Sequence, residues 1–281
     1  MTNVPNVANE TGVTSEAPLL VESRGGVRLL RLNRPQRRNA LDRALLEALD
    51  VARERAEAEG VRAVVLTGAE PQGAFCAGLD LNDLRHEGSG QFRADLPLVE
   101  LFHATLARLE GAPFALLTAV NGPAVGGGCE LALVGDVRLA HPKATFAIPA
   151  GRLGVTYPTP GLARLREALG SSLLRAMLAT GLPLSAQRLE RAGALWALAE
   201  DPASAALELA ASLEAWPGSP SAHRHALLDL RPGRALAGKS QASPSEGLAF
   251  RTRNEVGEAL MERRRCSVLG VVLLGALGLS A

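Results

Sequence analysis

Glu130 closes the run Asn121-Gly122-Pro123-Ala124-Val125-Gly126-Gly127-Gly128-Cys129, and no other stretch of the chain says as much about chemistry. Three consecutive glycines let backbone approach a ligand with no side chain in between. At a helix start, their free N–H groups favour negative charge. Glu130 stands three residues beyond Gly127, so one turn returns its carboxyl to the same side. The spacing predicts a carboxyl group beside an anion-binding notch. The elements that must hold the notch flank it: apolar Phe114 to Val120 predicts a buried strand, and Leu131 to Val134 predicts the start of a helix.

The same logic extends outward. Ala63 to Thr67 and Asp136 to Ala140 read as further strands, and Leu19–Ser23 with Val27–Leu32 as a hairpin turning at Gly25-Gly26. Leu41–Glu59 has helical periodicity, with Leu41, Leu45, Leu49 and Ala52 on one face, and Leu96–Glu110 follows a loop at Gly88-Ser89-Gly90. Strands alternating with helices predict an α/β fold of βαβ type. After Pro183 the chain turns Ala/Leu-rich and helical, with breaks at Pro202, Pro217-Gly218 and Pro232-Gly233.

Composition narrows the function classes. The chain has 281 residues, 47 % of them hydrophobic, enough for a substantial core. Its 30 basic and 29 acidic residues leave a formal charge of +1, which gives no footing for nucleic acid. Cys76, Cys129 and Cys266 show neither disulfide nor metal spacing, so a reducing, cytoplasmic setting is expected. Residues 1–18 are polar and read as a disordered leader, without the apolar stretch of a signal peptide. At the other end, Arg263-Arg264-Arg265 precedes an apolar stretch from Val268 to Ala281, shorter than the roughly 17–25 residues of a spanning helix. Docking on the protein or a partner subunit, a loose end and a marginal membrane anchor all remain open for that tail.

A second glycine-bearing segment, Ala74-Phe75-Cys76-Ala77-Gly78-Leu79-Asp80-Leu81, follows the Ala63–Gly68 strand, and Leu32-Asn33-Arg34-Pro35 and Asn39-Ala40-Leu41 precede it. In this order and spacing the segments resemble the enoyl-CoA hydratase/isomerase (crotonase) superfamily, from about Leu19 to Leu195 and more weakly to about Leu260. The resemblance implies a crotonase-like β-β-α spiral core over 19–195. A helical C-terminal region over 196–262 and a separate tail at 263–281 would follow, in a homotrimer or hexamer. It also implies an acyl-CoA thioester as substrate, with no further cofactor and no metal. Two backbone N–H groups, those of Leu79 and Gly127, would hold the enolate oxygen, and such donors contribute roughly 3–4 kcal/mol each. Glu130 matches a glutamate that holds and activates water. Arg38 matches a position that contacts CoA phosphates, and Ala40, Ala77, Gly78, Asp80, Leu81 and Gly126 fall in the substrate-binding segments.

One position departs from the hydratase pattern. Where those relatives carry a second catalytic glutamate after a segment like Phe146-Ala147-Ile148-Pro149, this chain has Ala150. Two carboxyls can divide acid and base duties across a water, and one alone cannot. Downstream, Arg152-Leu153-Gly154-Val155-Thr156-Tyr157 resembles members that decarboxylate malonyl-type CoA thioesters, which pair a glutamate at the Glu130 position with a tyrosine at the Tyr157 position. Three readings follow: hydratase/isomerase chemistry with Glu130 as acid/base, decarboxylation through Glu130 and Tyr157, and a non-catalytic acyl-CoA-binding member.

Competing motifs carry less. Gly233 to Ser240 matches the phosphate-loop spelling GxxxxGK[ST], but Pro232 precedes it and Gln241-Ala242-Ser243-Pro244 follows, where a strand and a helix are required. His86, His103, His141, His223 and His225 form no metal-ligand spacing, and no GxSxG elbow occurs.

Overall fold

The computed structural model describes residues 17–69, 73–83 and 97–213, with Gly218, Ser221 and Arg224. Residues 1–16 of the leader, the Gly88–Gly90 loop, the phosphate-loop-like run, Cys266, the 263–281 tail and most of the 196–262 region lie outside the described residues.

Strands form where apolar runs meet turn residues: β1 (Leu19–Arg24), β2 (Val27–Leu32), β3 (Ala63–Gly68), β4 (Ala115–Val120), β5 (Ala124–Val125), β6 (Val137–Ala140), β7 (Thr145–Ala147), β8 (Leu184–Ser185) and β9 (Ala197–Leu198). Between them run α1 (Arg43–Ala58), α2 (Pro97–Glu110), α3 (Gly127–Leu133), α4 (Thr159–Thr180), α5 (Ala186–Arg191) and α6 (Pro202–Ser212). The main sheet has the order β1-β2-β3-β4-β6-β9, and a small one has the order β5-β7-β8. Only the β1–β2 hairpin is antiparallel in the main sheet; every later neighbour pairs in parallel. Gly25, with φ +60°, makes the hairpin turn.

β3 and β4 are buried along their whole length because helices cover both faces. Val64, Leu66, Leu116 and Val120 pack with Leu45 and Leu49 of α1 and Phe102 and Leu106 of α2. The alternate residues Ala63, Val65, Ala115, Leu117 and Ala119 pack under Ala206 and Ala210 of α6. Side chains alternate across a strand, so a strand covered twice must be apolar throughout.

Three expectations shift. α1 begins at Arg43 rather than Leu41, because the Asp42 carboxylate accepts from Leu45 N at 2.9 Å and caps the helix. That frees Leu41 to bridge to Leu79. Leu131 to Leu133 is the end of α3, not the start of a helix: the helix already forms inside the glycine run. It stops where a Cβ on Gly135 would crowd Thr118, and where the Asp136 carboxylate turns back to accept from Leu116 N at 2.7 Å. Beyond Pro183 the chain is not uniformly helical. β8 and β9 interrupt it, and Pro202 opens α6 rather than breaking a helix. β9 extends the main sheet and α6 covers it. Among the described residues no helix is long and apolar enough to cross a membrane.

Candidate active site

Two glycine-bearing segments meet edge to edge, and a buried asparagine sets the first. Arg38 and Asn39 are both left-handed, at φ +52° and +56°, a conformation that Asn tolerates better than most residues. Asn39 is only 1 % exposed; its side-chain amide donates to the carbonyls of Ala74 (2.9 Å) and Phe75 (3.2 Å), while its Oδ1 accepts from Arg34 N (3.0 Å). The following residues are laced to the 38–41 turn: Ala77 N donates to Arg38 O, Leu41 N to Gly78 O, and Asp80 N to Leu41 O. This lacing passes over the Leu79 amide.

Across from it, Val125 N donates to Cys76 O at 2.9 Å and Gly126 N to Ala147 O at 2.8 Å. Cys129 N and Glu130 N return to Gly126 O as α3 starts, which leaves the Gly127 amide over. Neither Leu79 N nor Gly127 N has an acceptor among the described residues. Close approach explains the glycines: at Gly78 (φ +96°) a Cβ would lie 2.6 Å from Val125 O and 3.3 Å from Gly127 N, and at Gly128 it would fall on the Cys76 carbonyl.

Leu79 and Gly127 line a cavity of about 270 Å³. Ala77, Gly78 and Gly126 complete the notch, and Leu81, Val99, Phe102, Ile148, Leu153 and Val155 make apolar walls. Ala150, carried in by the short 3-10 turn Ala150–Leu153, also borders it. Of the lining side chains among the described residues, only His103 and Tyr157 bear polar atoms.

Behind the cavity lies a charged cluster. Glu130 has a fully buried side chain; its Oε2 accepts from the Tyr157 hydroxyl and its Oε1 from Arg164 Nη1, both at 2.8 Å. Arg164 Nε donates to Glu110 Oε2 at 2.9 Å, and Arg164 Nη2 to the His103 carbonyl at 3.3 Å. His103 Nδ1 stands 3.3 Å from Arg164 Nη1 and 3.4 Å from Glu130 Oε1. Burial, and then the Glu130 carboxylate beside it, push the Tyr157 hydroxyl well above its ordinary pKa, so it keeps its proton. Gly161 is the opening that lets this pair meet: a Cβ there would sit 2.5 Å from the Tyr157 ring and 2.6 Å from Glu130 Oε2. The buried thiols stay protonated, Cys76 being pushed up to about 12 by burial and Cys129 raised by burial and by Glu130.

Of the residues singled out from the sequence, Leu79, Gly127, Tyr157, Ala77, Gly78, Leu81 and Gly126 line the cavity. Glu130 does not line the cavity itself; it lies behind Tyr157 and His103. Arg38 is exposed, and it meets the site through its carbonyl alone. Ala40 and Asp80 stand outside the lining. Ala40 O accepts from Arg34 Nη1 (2.5 Å), and the Asp80 carboxylate pairs with the same guanidinium (3.3 Å), so the three brace the first segment. His103, Glu110, Gly161 and Arg164 were not foreseen. His103 and Glu110 lie seven apart on α2, and Gly161 and Arg164 three apart on α4, so each pair shares a helix face. That spacing was the only signal available.

Comparison with known proteins gives a consistent picture. The family model described as enoyl-CoA hydratase/isomerase matches residues 22–229. A Mycobacterium tuberculosis protein named "Probable enoyl-CoA hydratase EchA14" is 40 % identical over 202 residues, covering 71 % of this chain and 77 % of its own. The 2,3-dehydroadipyl-CoA hydratase of Escherichia coli is 37 % identical over 180 residues, 62 % of this chain and 66 % of its own. Among solved structures, an enoyl-CoA hydratase from Mycobacterium tuberculosis superimposes with a TM-score of 0.59 at 38 % identity, over 75 % of this chain and 87 % of that one.

Proposed function

Because the chain belongs to the enoyl-CoA hydratase/isomerase (crotonase) family, we propose that it processes an acyl-CoA thioester through an enolate held by the Leu79 and Gly127 amides. The observation that carries this reading is the pair of unused backbone donors on one cavity wall. Fixed dipoles of this kind need no reorganisation as charge develops, and in a cavity with apolar walls they act at low dielectric. Alanine and glycine at Ala77, Gly78 and Gly126 leave room for the thioester against the backbone.

Glu130 serves as the acid/base, and its burial routes the proton through Tyr157. In the forward direction the substrate α-proton passes to the Tyr157 oxygen while the Tyr157 proton passes to Glu130 Oε2. The enolate is left on the two amides and a neutral carboxyl on Glu130. Return of that proton through Tyr157 to the γ-carbon of a β,γ-unsaturated acyl chain completes an isomerisation. Arg164, paired to Oε1, holds the carboxylate in the geometry that accepts from Tyr157.

Decarboxylation of a malonyl-type thioester is a second reading, favoured by one observation: among the described residues no carboxylate lines the cavity wall, where Ala150 stands. Loss of CO₂ would leave the same enolate, to be protonated through the same hydroxyl. Mass spectrometry after incubation with crotonyl-CoA and, separately, methylmalonyl-CoA tests both. Gain of water supports the hydratase reading and loss of CO₂ the decarboxylase reading. If neither thioester changes and butyryl-CoA does not bind, the acyl-CoA assignment fails.

A further inference from the structure

His103 takes part in neither proton path, yet among the described residues it is one of two polar side chains on the cavity wall. Its Nδ1 is turned to the buried cluster, 3.3 Å from Arg164 Nη1 and 3.4 Å from Glu130 Oε1. Its Nε2 has no protein partner among the described residues and is not sealed from solvent, so it opens on the cavity. Two groups face Nδ1, the Arg164 guanidinium at 3.3 Å and the Glu130 carboxylate at 3.4 Å. Arginine cannot accept, so a hydrogen bond from the nearer Nη1 takes the Nδ1 lone pair and places the ring proton on Nε2.

The imidazole is also held in place. Its ring lies 5.2 Å from that of Phe102, tilted by 52°, and a Cβ on Gly127 would come within 3.2 Å of the Phe102 ring. Thus α2 brings a fixed donor to the wall beside the Gly127 amide, where the first carbons of the acyl chain would lie.

Resting on the acyl-CoA reading above, we propose that His103 is a specificity residue whose Nε2–H binds an oxygen carried by the acyl chain, so that oxygen-substituted acyl groups are preferred over plain hydrocarbon ones. A buried donor facing a plain methylene chain loses its water without replacement, and this is what discriminates.

The test compares three four-carbon thioesters by titration calorimetry: butyryl-CoA with no extra oxygen, acetoacetyl-CoA with a neutral one, and succinyl-CoA with a carboxylate. The wild type should bind acetoacetyl-CoA or succinyl-CoA roughly three- to ten-fold more tightly than butyryl-CoA, the size expected for one net hydrogen bond. Which of the two gains tells whether a neutral oxygen or a carboxylate is read. His103→Leu should bring the three affinities together; His103→Gln, which keeps a donor, should retain part of the preference. Nitrogen-15 spectra of the wild type should show the neutral Nε2-protonated tautomer at His103. Equal affinity for all three thioesters, an equal loss for all three in His103→Leu, or an Nδ1-protonated ring would each overturn the proposal while leaving the acyl-CoA reading intact. A wild type that binds none of the three would instead overturn that reading, and this inference with it.

Discussion

The two walls of the cavity are built in opposite ways. The notch is made of backbone: Leu79 and Gly127 present amides, and the nearby side chains matter mainly by being small or absent. The cluster behind Tyr157 is made of side chains drawn from α2, α3, α4 and the loop before α4, with His103, Glu110, Glu130, Tyr157 and Arg164 meeting across gaps of up to 61 residues. A backbone notch is robust to side-chain change but intolerant of added Cβ atoms. A buried charge cluster is the reverse: it tolerates little chemical change, because each partner satisfies another.

The sharpest way to break that contrast is Glu130→Gln. Removing the base should lower turnover by about 10²–10⁴-fold, the range typical of a positioned acid/base. Butyryl-CoA affinity should stay within a few-fold by calorimetry. Tyr157→Phe should fall alongside it, since the proposed proton path crosses its hydroxyl. Full turnover in Tyr157→Phe with loss in Glu130→Gln would mean that Glu130 reaches substrate directly.

Next comes Arg164→Met, a cut into the electrostatics rather than the chemistry. It leaves the Glu130 carboxylate buried with its cation gone. A stability loss of about 3–5 kcal/mol is expected from chemical denaturation. Adding Glu130→Gln to that variant should restore part of the loss, and strict additivity would show that the two are not coupled.

Gly161→Ala is a steric probe of the same region. A methyl group 2.6 Å from Glu130 Oε2 must push the Tyr157–Glu130 pair apart, costing about 1–3 kcal/mol in melting experiments and most of the turnover. Leu79→Ala should have the smallest effect. It keeps the amide, so turnover should remain within about tenfold of wild type; a loss approaching the 10²–10³-fold typical of a missing donor would give the side chain, not the backbone, the leading part.

Much of the notch was legible from residue order alone. The glycine run at 126–128 and the Ala77-Gly78 pair are local signals, because glycine takes the positive φ of Gly78 and Gly126 without steric cost and leaves room for the close approach at Gly78 and Gly128. The strands β3 and β4 were equally plain, since strands covered on both faces must be apolar throughout. Helix ends were less so: nothing in the apolar pattern of Leu131 to Val134 tells whether a helix begins or ends there. α6 illustrates a further limit. Its alanines look unremarkable until β3, β4 and β6 are seen to need a cover.

Residue order alone was enough for the parts that depend on neighbours in the chain: the α/β alternation, the glycine turns and the placing of Glu130 one turn beyond the glycine run. Tertiary structure alone decided that Glu130 lies behind Tyr157 rather than on the cavity wall, and that Arg164 and His103 join it. The physical reason is that backbone conformation is set largely by local sterics. A buried charge, in contrast, takes whichever partners packing brings within about 3 Å, and those came from helices distant in sequence.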